Sequence, residues 1–151
     1  RISATVNEQN PDILAIQEAE WESERYEQDQ SKDIATNCNL DHFKIEAAHE
    51  QYNWGGYFGN SILTKYPILE SKILKYPIWC NRRARNAIGV KLDIGNNAYI
   101  WCVNTHFQND LSYHENQYQA YHLVEFVKKE IVQNECDFMD DGNHDYDNNK
   151  G

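Results

Sequence analysis

Four side chains able to handle phosphate or a metal ion each follow a short apolar run: Glu18, His106, Asp141 and Asn143. Glu18 ends Ile13-Leu14-Ala15-Ile16-Gln17-Glu18 and offers a hard carboxylate oxygen suited to Mg²⁺ or Ca²⁺. His106 ends the run from Ala98 through Val103, Asn104 and Thr105, where an imidazole can stabilise charge developing on a phosphoryl oxygen. Asp141 can orient and deprotonate a water. Asn143 lies two residues on, so on an extended segment it faces the same side and adds an amide without adding charge. Together these groups suit metal-assisted phosphoester hydrolysis. Each also has a plainer reading. Glu18 could cap a following helix, His106 could be a satisfied structural histidine, and 140–145 could be a solvated turn. That turn has the Asp/Asn/Gly content of a calcium loop, but the EF-hand pattern with its terminal Glu is absent. Arg82, Arg83 and Arg85 read by default as a solvated loop.

The elements that must position these groups are mostly strands. Tyr99 to Val103 reads as a strand buried on both faces, and polar groups at such strand ends sit where open α/β sheets place their ligands. A helix closes at Asn10-Pro11, and Ile13 to Ile16 is a short buried strand that runs out into Gln17-Glu18. A loop and then a helix cover 19–39. His42 to Ala48 is a strand with Phe43, Ile45 and Ala47 on one face, and Gln51 to Gly59 is a Gly- and aromatic-rich loop. Asn60 to Lys65 and Ile68 to Leu74 are strands stopped before Pro67 and Pro77. Ala87 to Ile94 turns at Gly95-Asn96-Asn97 into the Ala98 strand, forming a hairpin. Ala120, Leu123, Val124, Val127 and Ile131 recur at helical spacing and predict a helix from Tyr113 to Val132. Cys136 to Met139 supplies a short strand leading into Asp140.

Composition narrows the class. A chain of 151 residues with 40% hydrophobic and 13% aromatic residues is about one domain long and can bury a real core. A net charge of −10 weighs against a non-specific nucleic-acid binder, since the global field repels polyanions. It does not exclude an enzyme acting on phosphates, because a bound cation inverts the local potential. The four cysteines are far apart with no CxxC spacing, which argues against a zinc site and a dense disulfide scaffold; Cys102 reads as a buried thiol. The sequence shows no N-glycosylation sequon, signal peptide or membrane-spanning run. It opens at Arg1 without a methionine and stops just after the 140–145 segment, and so reads as a portion of a longer chain.

Taken together, these segments resemble the endonuclease/exonuclease/phosphatase superfamily, which includes deoxyribonucleases, abasic-site endonucleases, neutral sphingomyelinases and inositol polyphosphate 5-phosphatases. The pieces that carry the resemblance occur in the superfamily's order. They are Asn10-Pro11-Asp12-Ile13-Leu14-Ala15-Ile16-Gln17-Glu18, Tyr57-Phe58-Gly59-Asn60-Ser61-Ile62-Leu63-Thr64-Lys65-Tyr66-Pro67-Ile68, Arg85-Asn86-Ala87, Val103-Asn104-Thr105-His106-Phe107, and Gln119-Ala120 in the long helix. The resemblance implies an α/β fold, a deoxyribonuclease-like two-sheet sandwich, with residues 1–151 forming part of the domain. The first strand, carrying a metal-site asparagine, would precede Arg1, and a last strand with Ser-Asp-His would follow Gly151. It also implies Mg²⁺, with Mn²⁺ or Ca²⁺ as alternatives, held by Glu18. His106, Asp141 and Asn143 would be catalytic, Arg85 and Asn104 substrate-binding, and the substrate a phosphoester of nucleic acid, phospholipid or a small alcohol. One motif departs from pattern: the glycine expected before Asp141 is Asp140, whose like charge could raise the pKa of one carboxyl. That departure and the two missing strands favour an alternative, a catalytically inactive member serving as a binding or structural module. An unrelated α/β domain with coincidental motifs is a third reading.

Overall fold

The computed structural model describes residues 2–26, 28–50, 55–78, 83–108 and 113–133. The elements run α1 (Ile2–Gln9), β1 (Ile13–Trp21), α2 (Gln30–Asn37), β2 (His42–Glu50), β3 (Tyr57–Thr64), β4 (Ile68–Lys75), β5 (Asn86–Gly95), β6 (Ala98–Thr105) and α3 (Tyr113–Phe126). A π-helical segment, Val127–Gln133, continues α3. Two antiparallel sheets form, ordered β1-β3-β2 and β4-β5-β6. With helices on the outer faces, this is the α/β two-sheet sandwich expected from the sequence.

Alternation along the strands decides which layer each side chain joins. On β3, Ile62 joins Ile88, Val90 and Leu92 of β5 between the sheets, while Leu63 joins Val6, Ile34, Ala35, Cys38 and Leu40 under α1 and α2. On β1, Ile13 packs against the inter-sheet cluster, and Leu14 and Ile16 against the helical one. Asp29 caps α2 by accepting from the Ser31 and Lys32 amides. Ile131 lies against Gly89 on the outer face of the second sheet. The β5–β6 turn forms as expected: Asn96 (φ 55°) and Asn97 (φ 57°) take the two left-handed positions of a type I′ hairpin.

Several sequence expectations need correcting. β1 does not stop at Ile16; it continues to Trp21, so Glu18 lies within the strand rather than at its exit. β6 is not buried on both faces: Tyr99 is 51% and Ile100 40% exposed. Among the described residues it borders only β5, and β5 instead is the buried strand. Phe43 and Val124 are likewise exposed, and the long helix changes to π-helical winding at Val127. Cys102 is half-buried rather than buried, though burial still pushes its thiol pKa up. The Gly- and aromatic-rich loop ends earlier than expected, because Tyr57, Phe58 and Gly59 already belong to β3. The strand expected at Cys136 to Met139 lies outside the described residues.

Gly59 shows why a glycine stands inside a strand. A Cβ there would sit 2.1 Å from the Glu46 carbonyl oxygen and 3.0 Å from the Ala47 Cα, so β2 could not approach. At Gly89 the nearest atom to such a Cβ is 3.5 Å away, an ordinary contact. Gly59→Ala should therefore lower stability by about 2 kcal/mol or more, whereas Gly89→Ala should be near neutral. Paired denaturant titrations check this; equal midpoints for the two variants would refute it.

Candidate active site

A β-bulge sets the site. Ile16 pairs with Ser61 and Ala19 with Gly59, so Gln17 and Glu18 together face the single residue Asn60. Glu18 adopts φ 58°, a left-handed conformation uncommon for a residue with a side chain. β2 carries a matching irregularity, with Ala47 opposite Gly59 and His49 opposite Phe58. Ala48, Phe58, Gly59 and Asn60 then contribute to one small cleft, together with Glu18, Arg85, Asn86 and His106.

Buried amides hold the two sheets in register around this cleft. Asn104 of β6 is 3% exposed and donates through Nδ2 to the Ile16 carbonyl at 2.8 Å and the Ser61 carbonyl at 2.9 Å. Its Oδ1 accepts from Gln17 Nε2 at 2.6 Å. Asn60 Nδ2 donates to the Asn86 carbonyl and to its Oδ1, at 3.0 and 2.7 Å. Asn86 Nδ2 donates to the Glu46 carbonyl at 3.1 Å. Tyr76 and Thr105 bond through their hydroxyls at 2.9 Å, and Thr105 Oγ1 also donates to the Asn86 carbonyl. Burial raises the Tyr76 pKa to about 12, against the opposing pull of the Thr105 bond, so the phenol keeps its proton at neutral pH.

Three of the residues expected from the sequence come together. Glu18 Oε1 lies 3.8 Å from Arg85 Nη1 and 3.7 Å from His106 Nδ1. Glu18 is half-exposed, whereas Arg85 is 5% exposed rather than on a solvated loop. Gln108 orients the buried guanidinium: its Oε1 accepts from Arg85 Nε at 3.1 Å, and its Nε2 donates to the Arg83 carbonyl. Gln119 of α3 accepts from the Gln108 amide in turn. Burial pulls Arg85 below the usual arginine pKa, with Glu18 opposing and Arg83 adding to the shift. His106 is also held below its ordinary 6.5, chiefly by burial, then by the Arg85 cation, with Glu18 opposing. Asn104, expected to bind substrate, has its amide committed between strands instead of facing the cleft. Asp141 and Asn143 lie outside the described residues.

For a divalent ion, the cleft offers the half-exposed carboxylate of Glu18, and no cluster of three or more His, Cys, Asp or Glu side chains occurs among the described residues. Magnesium typically keeps several waters and phosphate oxygens beside one or two carboxylates, so Glu18 fits such a site. Among the described residues the buried His106 Nδ1 has no hydrogen-bond partner, which suits a neighbouring water or phosphoryl oxygen. The supporting amides Gln17, Asn60, Asn86, Gln108 and Gln119 were missed in the sequence. For Gln17, Asn60 and Asn86 the signal was present, since an amide inside an apolar strand is costly without a partner.

The Endonuclease/Exonuclease/phosphatase family model matches residues 1–133. The structure is similar to an endonuclease/exonuclease/phosphatase from Beutenbergia cavernae DSM 12333, with TM-score 0.66, 16% identity, and coverage of 85% of this chain and 38% of that one. It is also similar to an endonuclease/exonuclease/phosphatase family protein from Leptotrichia buccalis C-1013-b, with TM-score 0.64, 11% identity, and coverage of 85% and 53%. The chain thus spans 38% and 53% of the lengths of these two proteins. No curated protein matches the sequence.

The depressed His106 pKa has a consequence for stability. Below pH 6.5 the unfolded chain takes up a proton that the folded chain resists, so stability is full above 6.5 and falls as pH drops toward the folded pKa. The melting temperature of His106→Asn should fall less on acidification from pH 7 than that of the wild type. NMR titration should place the His106 midpoint below 6.5 in the wild type, and higher in Arg85→Met. A wild-type midpoint above 6.5 would refute the assignment.

Proposed function

Because the chain belongs to the endonuclease/exonuclease/phosphatase family, whose members are generally hydrolases of phosphoesters, we propose that it hydrolyses a phosphodiester or phosphomonoester with Mg²⁺. The observation that supports this most is the convergence of a buried guanidinium and a partly buried imidazole on the half-exposed Glu18 carboxylate, at 3.8 and 3.7 Å. Glu18 would hold the ion, with Mn²⁺ or Ca²⁺ as alternative occupants, and such a cation would supply positive charge near the phosphate and lower the pKa of water.

The chain's own groups divide the remaining work. Arg85 binds a non-bridging phosphate oxygen, its fork aimed by Gln108. His106, neutral at pH 7, donates an N–H to the oxygen on which charge develops. Asp141 takes the proton from a water attacking phosphorus in line, the ester P–O bond breaks, and the departing oxygen is protonated from solvent. Asn143 binds a phosphoryl oxygen. Asn104 is a positioning residue that fixes the bulge bearing Glu18. These roles are the same for a phosphoester of nucleic acid, phospholipid or a small alcohol. No helix among the described residues is long and apolar enough to cross a membrane.

Turnover of bis(p-nitrophenyl) phosphate with and without Mg²⁺ tests this reading. Metal-stimulated hydrolysis is expected, with Glu18→Gln and His106→Ala each lowering kcat/KM by roughly 10²-fold or more. Arg85→Lys should raise KM by loss of the planar fork. Absence of metal-stimulated turnover in the wild type would instead identify a binding module.

A further inference from the structure

The cleft around Glu18 and His106 shares Arg85 with a second, larger cavity. This cavity measures about 250 Å³ and its surface is mostly apolar. Among the described residues it is lined by Pro77 and Ile78 from the segment after β4, by His114, Glu115, Tyr118 and Gln119 from α3, and by Arg83, Arg85 and Gln108. The polar groups at its base are turned to one another. Gln108 accepts from Arg85 Nε, donates to the Arg83 carbonyl, and is held through its own amide by Gln119. His114 and Glu115 in the wall each make an interaction of their own, so what the cavity mainly offers an occupant is apolar surface beside the buried Arg85 cation.

Size limits that occupant. Pockets that bury a whole drug-sized ligand run to roughly 300–1,000 Å³. A dry apolar cavity of about 150 Å³ takes up benzene. A space of about 250 Å³ holds one ring with small substituents, but not two. Its lining favours a flat ring over an alkyl group. Guanidinium groups attract an aromatic face, and the Tyr118 ring adds an edge or stacking contact.

We propose that this cavity receives a single aromatic ring attached next to the phosphate, so that the site prefers aryl-type phosphoesters. The inference rests on the reading that the Glu18–Arg85–His106 cleft binds phosphate. Arg85 then serves both halves of the ligand: one part of its guanidinium contacts a phosphate oxygen and its plane borders the ring.

Binding rather than turnover tests it. Wild-type protein is titrated with phenyl phosphate, cyclohexyl phosphate and methyl phosphate, with no metal added. Phenyl phosphate should bind about tenfold more tightly than methyl phosphate, with cyclohexyl phosphate well below phenyl. Ile78 is 62% exposed at the cavity's edge, so Ile78→Trp can fill the space without disturbing the core. It should bring the phenyl-to-methyl ratio close to one while leaving methyl phosphate affinity unchanged. Tyr118→Ala should lower the same ratio without closing the cavity. Equal affinity for phenyl and methyl phosphate overturns the proposal, as does a preference that survives Ile78→Trp, equal binding of cyclohexyl and phenyl phosphate, or no measurable binding of any of them. Failure of Mg²⁺-stimulated hydrolysis leaves these affinities unaffected, so the two readings fail separately.

Discussion

The amide of Asn104 is the tie on which the rest depends. It projects from the second sheet and bonds the carbonyls of Ile16 and Ser61, which belong to neighbouring strands of the first. Both sheets must therefore meet at one relative height. Each carbonyl left bare in the interior would cost roughly 1–3 kcal/mol, so slippage between the layers is strongly opposed. The same amide accepts from Gln17, the first of the two residues in the bulge. Layer alignment and bulge geometry are thus one constraint. Glu18 directly follows Gln17 and His106 lies two residues after Asn104, so the tie brings them to the same place.

Electrostatics follow from that alignment. The chain carries a net charge of −10, yet the guanidinium nearest Glu18 is almost wholly buried. Burying a cation is costly, and here Glu18 and the Gln108 carbonyl offset part of that cost. The result is a small positive spot inside an acidic molecule. Long-range attraction for polyanions is absent, while at short range an anionic group finds a fixed donor and a neutral imidazole. On the proposed function, selection among phosphoesters would fall to contacts close to phosphorus.

Much of this was legible in the sequence. The hairpin at Gly95-Asn96-Asn97 and the strands flanking it follow from residue patterning and turn chemistry, whereas the two-sheet class came from the family resemblance of the motifs. Glu18, Arg85 and His106 could be nominated because each stands in a short motif, and geometry places them together. What could not be read is how strands pair across long separations. The end of β1 was misplaced because a bulge breaks alternation at Gln17-Glu18, and pattern reasoning takes a broken alternation for a strand end. β6 was misjudged for another reason: an apolar composition does not state how many neighbours a strand has, and Tyr99 and Ile100 are exposed. Asn104 looked like a ligand-binding amide, since motif position does not distinguish a side chain that faces a cleft from one that staples strands.

The left-handed backbone at Glu18 carries a consequence for how such a chain can change over generations. A residue with a Cβ held at φ 58° sits against its own conformational preference, at a cost of order 1–3 kcal/mol. Glycine would relieve that strain and asparagine would reduce it, so any lineage selected for folding alone has an easy downhill step at this position. Either step discards the carboxylate. On the proposed role of Glu18, robustness and chemistry pull in opposite directions at a single codon.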